Sequence, residues 1–155
     1  MKLSKYCCGL LLSAVFVFFA TAQSSNPQYD PALAKKLGAD EYGMKNYVFV
    51  ILKTGANKTT DRTFIDSCFV GHMQNIHRLV EDGRLVLAGS FGKNDKTFRG
   101  IFILNAKSFD EANELLQTDP AIKEKLLDVE LYDWYGSAAL GESLHVYDRI
   151  WKKKP

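Results

Sequence analysis

Two histidines, His72 and His77, stand five residues apart in the stretch "GHMQNIHRLVEDG". Histidine titrates near neutrality, so it can take up or give a proton in general acid–base chemistry, or ligate a metal. Two histidines on one helix share a metal only when they lie three or four residues apart. Five apart, His72 and His77 point to different faces and cannot. At about 100° per residue, Ile65, Cys68, Phe69, Ile76 and Leu79 fall on the His72 side of a helix. Thr63, Ser67, Gln74, Arg78 and Glu81 fall opposite, and His77 lies on the solvent side. Val70 is an apolar residue out of place. His72 therefore needs an explanation, because an imidazole in an apolar stripe costs free energy unless its nitrogens are hydrogen-bonded. Two readings stay open. It is a core histidine satisfied by a backbone carbonyl or buried water, or it lines a pocket between helix and sheet as a general base or acid.

Other chemistry is sparser. Cys68 reads either as a reactive thiol or as a small core residue, and the second is the simpler. Asp95 and Arg99 border a turn after "AGS", where they are a solvated hairpin or part of a site. "GANKTT" and "GKNDKT" lack the spacing of a phosphate-binding loop. There is no Gly-x-Ser-x-Gly elbow and no cysteine–histidine metal pattern. Asn57-Lys58-Thr59 is a glycosylation sequon, meaningful only in a eukaryotic secretory route.

The chain has 155 residues, enough for one compact domain. Lys2 and Lys5, the run "YCCGLLLSAVFVFFA" and Ala20-Thr21-Ala22 have the pattern of a secretory signal peptide over residues 1–22. An uncleaved anchor is the alternative. A lipoprotein leader does not fit, because the apolar run follows Cys7 and Cys8 instead of leading to them. Cleavage after Ala22 removes two lysines and no acids, which leaves eighteen basic and eighteen acidic residues. The net charge of +2 then says nothing about nucleic acid, and no membrane role is expected of the mature chain. Cleavage also leaves Cys68 as the lone cysteine, so no intrachain disulfide is expected. The expected site is periplasmic or secreted.

Residues 23–45 read as a polar linker with a short helix around Pro31–Leu37. "NYVFVILK" (46–53) is an apolar, β-branched run typical of a central strand. The long helix spans 62–82 and stops at Asp82-Gly83, with glycine suited to the left-handed position after a helix. "RLVLAGSF" (84–91) and "KTFRGIFILN" (96–105) form an antiparallel hairpin around "GKND". Ser108-Phe109-Asp110-Glu111 is a capping box that opens a helix to about Leu116. Asp119-Pro120 starts a further short helix. "DVELYDWYG" (128–136) is the last strand, and 137–155 is a C-terminal extension. The order strand, helix, strand, strand, helix, strand predicts an α+β, ferredoxin-like split βαβ domain over 46–136 with a four-stranded antiparallel sheet. Two helices cover one face. The other carries Tyr47, Phe49 and Ile51 and must also be buried, most economically by dimerisation through the sheets, otherwise under the two tails.

In order along the chain, "HMQNIHRLVEDGRLVLAGS", "RGIFIL", "SFDEANELLQTDP" and "VELYDWYG" resemble the YCII-related family, over roughly residues 46–136. "AKKLGADEYGMKNYVF" and "WYGSAAL" look like a secreted bacterial branch of it. The resemblance implies a homodimer of the dimeric α+β barrel group. It also implies a pocket in which a histidine, matched by His72, works with an aspartate, best matched by Asp95. Ser90 stands where the family has proline, and Asp133 replaces a proline before Trp134, so the pocket's shape departs from the pattern.

The leading expectation is a small-molecule enzyme without cofactor or metal, working by proton abstraction or elimination on a small cyclic or carboxylated substrate. His72 and Asp95 are the expected catalytic pair, and Arg99, Trp134 and Ser90 the expected substrate-binding residues. The alternatives are a ligand-binding module without turnover, a haem-binding dimer with His72 as axial ligand, and a purely structural dimer.

Overall fold

A computed structural model describes residues 26–147 and 149–152. Residues 1–25, on which the expected signal peptide and Cys7 and Cys8 fall, lie outside the described residues. The first helix, α1 (Pro31–Leu37), is capped by Asp30, whose carboxylate accepts from the backbone N–H groups of Ala32 and Leu33. It ends at Gly38, whose φ of 71° is the left-handed conformation that glycine adopts without steric cost.

Four strands and three helices follow: β1 (Met44–Thr54), α2 (Arg62–Glu81), β2 (Leu85–Ser90), β3 (Phe98–Leu104), α3 (Phe109–Leu116), α4 (Pro120–Lys123) and β4 (Leu127–Ser137). All strand pairs are antiparallel, in the order β2-β3-β1-β4. This is the ferredoxin-like arrangement, with the two outer strands contributed by different halves of the chain. The apolar β1 occupies a central position, as a strand buried on both faces should. A 3-10 helix (Ala138–Ser143) and a short helix α5 (Leu144–Tyr147) complete the described chain. No helix among the described residues is long and apolar enough to cross a membrane.

Side chains alternate along each strand, so the register assigns them to faces. Val48, Val50 and Leu52 share the helix-covered face with Phe102 and Leu104. Leu79 from α2, Leu116 from α3 and Ile122 from α4 pack onto them and complete the main core. Tyr47, Phe49 and Ile51 face the other way, beside Ile101, Ile103, Tyr132 and Trp134. The C-terminal segment covers one end of this second face. Leu140 packs against the cluster of Tyr47, Val86 and Ile103, and the Tyr47 hydroxyl donates to the carbonyl of Ser137 at 2.9 Å. Further along, Phe49, Ile51 and Ile101 are only half-buried and Tyr132 is 48% exposed. Cover by the tails, the alternative to dimerisation, thus extends over part of this face.

Candidate functional site

Helix α2 presents His72 inward, on the stripe that also carries Cys68, Asn75 and Leu79, all buried. His77 is exposed. The imidazole of His72 stacks on Phe102 of β3, with ring centroids 5.9 Å apart and planes 22° apart. Phe69 meets it edge-on at 6.0 Å. Two aromatic walls therefore fix the ring plane, and only 11% of the side chain remains accessible.

A carboxylate that is not accessible at all binds this ring. Nδ1 of His72 lies 2.6 Å from Oδ2 of Asp119. Asp119 sits at the junction between α3 and α4, and its other oxygen, Oδ1, accepts the backbone N–H of Ala121 and caps α4. A carboxylate can only accept, so Nδ1 donates and carries the ring proton. In the neutral ring this leaves Nε2 as a lone-pair acceptor. Nε2 makes no hydrogen bond among the described residues, and 11% of the side chain is accessible. The arrangement is a buried, oriented imidazole with one nitrogen free: chemically, a general base, or a general acid once protonated.

The remaining expected site residues are placed differently. Asp95 is exposed in the turn between β2 and β3 and makes no hydrogen bond or ion pair among the described residues. The carboxylate that pairs with His72 is Asp119, a correction to the expected pairing with Asp95. In the sequence Asp119-Pro120 marks only the start of a short helix, and that local role conceals the second one. Ser90 pairs with Gly100, two positions along β3 from Phe102, so it shares the sheet face on which His72 stacks. Ala88, which pairs with Phe102, and Ser90 are both exposed. The helices therefore leave this face open along the β2 edge, next to the imidazole. Arg99 alternates with Gly100 and points to the opposite face. Trp134 lies on that opposite face too, against Tyr47 with centroids 5.7 Å apart. Its ring folds over Gly136, where a Cβ would meet it at 2.1 Å. Neither Arg99 nor Trp134 lies on the sheet face on which His72 stacks.

Cys68 lies one helical turn before His72 and is buried. Burial pushes its thiol pKa up, and the negative charges of Glu124 and Asp119 push it the same way. An activated nucleophile needs the reverse, so Cys68 is a core residue with an inert thiol. Among the described residues, no group of three or more His, Cys, Asp and Glu side chains could hold a metal ion. A groove of 460 Å³ lies at the far end of α2, lined by Lys36, Lys45, Tyr47, Glu81 and Glu142 among others. It does not include His72, Asp119 or their neighbours.

No family model matches the chain. No curated protein matches it either. Among solved structures it is similar to 5-chloro-2-hydroxyhydroquinone dehydrochlorinase from Burkholderia phenoliruptrix, in complex with 2,5-dihydroxybenzoquinone. The identity is 22%, over 56% of this chain and 92% of that one, with a TM-score of 0.40.

Proposed function

We propose that the protein is a small-molecule enzyme of the YCII-related type, in which His72, held by Asp119, moves a proton on a small cyclic or carboxylated substrate. One observation carries this reading: a fully buried carboxylate fixes Nδ1 at 2.6 Å and leaves Nε2 free. A histidine buried for structure alone needs hydrogen-bond partners for its nitrogens. Here one is satisfied and the other is left able to meet a guest. The open strip of sheet beside Ala88 and Ser90 is where that guest would lie. The ordered motifs from His72 to Trp134 support the family assignment.

The test is unbiased metabolite capture on the mature protein, wild type beside His72→Ala, followed by turnover of whatever is captured. The proposal expects a ligand consumed by the wild type and left unchanged by a folded His72→Ala variant. Equal turnover by both proteins would refute it. In the same reading the protein acts outside the cytoplasm after loss of residues 1–22, and N-terminal sequencing of the exported protein should begin at Gln23. It also works as a homodimer through the second sheet face.

A further inference from the structure

Three consecutive residues of the α3–α4 junction dock on successive positions of α2. Pro120 lies over Gly71 so closely that a Cβ on Gly71 would stand 2.7 Å from the Pro120 Cγ. Asp119 binds His72. Thr118 joins a polar cluster one turn further along. Its hydroxyl accepts from Nη2 of Arg78 at 2.8 Å and lies 2.9 Å from Oδ1 of Asn75, which it can donate to. The same Nη2 donates to Oδ1 of Asn75 at 2.8 Å. Nη1 of Arg78 is tied in turn to Asp82 at 3.2 Å. The hydroxyl proton of Thr118 has a second acceptor, the carbonyl of Leu115 at 2.6 Å.

Asn75 shows that this cluster is built at a cost. It is 6% exposed, and its amide Nδ2 is buried with no partner. An orphaned buried donor is destabilising, and native structures keep few of them. A leucine at this place would fill the same stripe without that cost. What asparagine supplies instead is Oδ1, the acceptor on which both Arg78 and Thr118 converge.

We propose that Asn75, Arg78 and Thr118 are positioning residues: they clamp the residue before Asp119 to α2 and so hold the Asp119 carboxylate against Nδ1 of His72. The proposal rests on the His72–Asp119 reading above and names what maintains it. Asp119 belongs to a short junction, and its own cap on α4 does not fix its distance from α2. The Thr118 clamp holds the junction to α2 on one side of Asp119, as Pro120 on Gly71 does on the other. It thereby keeps the ring proton on Nδ1 and the lone pair on Nε2, the form a general base needs.

The readout is the tautomer of neutral His72, from long-range proton–nitrogen NMR of the full mature chain, with the signal assigned by its absence in His72→Gln. In the wild type the proton sits on Nδ1. Thr118→Val, which keeps shape and removes the hydroxyl, should shift the proton toward Nε2 and speed exchange of the Nδ1 proton with water by about tenfold, the scale of one weakened hydrogen bond. Thr118→Ser should restore the wild-type spectrum. Arg78→Met, at a half-exposed position, should shift the tautomer the same way with the fold retained by circular dichroism, and it serves as the test if Thr118→Val does not fold. Wild-type spectra in the folded Thr118→Val and Arg78→Met variants would overturn the clamp while leaving the His72–Asp119 pair standing. A wild-type ring protonated on Nε2 would overturn both.

Discussion

Asp119 uses its two carboxylate oxygens for two tasks: Oδ1 caps α4, and Oδ2 orients His72. Asp119→Asn separates them. The amide oxygen can still cap, but the amide nitrogen is a donor and faces a donor at Nδ1. The ring must then move its proton to Nε2 or lose the bond. Turnover of the captured substrate should fall by at least about a hundredfold, the scale of general acid–base catalysis. Unfolding in urea should show a loss of about 1.5–3 kcal/mol, the range for hydrogen bonds to charged groups. Wild-type turnover in a folded Asp119→Asn variant would remove the carboxylate from the mechanism. His72 was legible from helical periodicity, because an imidazole among Ile65, Phe69, Ile76 and Leu79 breaks a local pattern. Asp119 was not, because a partner 47 residues away leaves no trace in local spacing. The Asp-Pro pair before a helix is explained fully by capping, so nothing in it called for a second role. Asn75 was missed for a related reason: one amide on a buried stripe breaks the pattern weakly, and its significance lies in its contacts.

At the scale of elements, the junction between α3 and α4 carries the site, and Gly71 lets it approach. Gly71→Ala gains about 1 kcal/mol of helix propensity but forces a methyl into the Pro120 ring, and such overpacking costs about 1–3 kcal/mol. The net expectation is a modest loss of stability in urea together with the Nε2-shifted tautomer of the clamp variants. A Gly71→Ala protein that is more stable, with an unchanged His72 signal, would show that the close approach is unimportant. A second element-level device joins the turn before β1 to β4. The Tyr135 hydroxyl donates to Asp40, whose other oxygen accepts from the backbone N–H groups of Tyr42 and Met44. The hydrogen bond from Tyr135 is the chief cause that lowers the Asp40 pKa below its ordinary value of 3.8. The same bond pushes Tyr135 up from 10.0 to about 12. Asp40 therefore contributes stability above the unfolded carboxylate pKa and loses it as pH falls through the lowered folded value. Tyr135 contributes fully below pH 10 and loses its contribution as pH rises toward 12. Tyr135→Phe should flatten both limbs of a stability–pH curve measured by denaturant, and unchanged limbs would contradict the pairing. Element types and order were readable because caps and periodicity are local: Ser108 caps α3, Asp119 caps α4, and Gly83 with φ 65° follows α2.

For the whole molecule, the open question is what covers the second sheet face. Leu140 of the C-terminal segment packs on the cluster of buried Tyr47 and Ile103, whereas Phe49, Ile51 and Ile101 are only half-buried. Sequence alternation shows that this face is apolar; how far the tail reaches depends on tertiary packing, which alternation does not encode. The uncovered part is bordered by the Lys53–Glu130 ion pair at 2.5 Å, and the Tyr132 hydroxyl donates to the same carboxylate at 3.1 Å. A polar border around an apolar centre is the composition of a specific interface, whereas a face meant for water would carry charge at its centre. A sheet face laid on its own copy about a two-fold axis places each apolar centre on the other and each border near solvent. The wild type should therefore sediment as a dimer at micromolar concentration. Ile101→Glu puts a charge in the middle of the half-buried strip without touching the helix-covered core. It should yield a folded monomer, with the His72 tautomer preserved, because the site lies on the opposite face. A wild type that sediments as a monomer down the same concentration series would end the proposal. A dimer that survives Ile101→Glu would move the contact to another surface. Should the monomeric variant keep its tautomer but lose turnover, the second copy must complete the site, and the exposed Arg99 on the shared face becomes the first residue to replace.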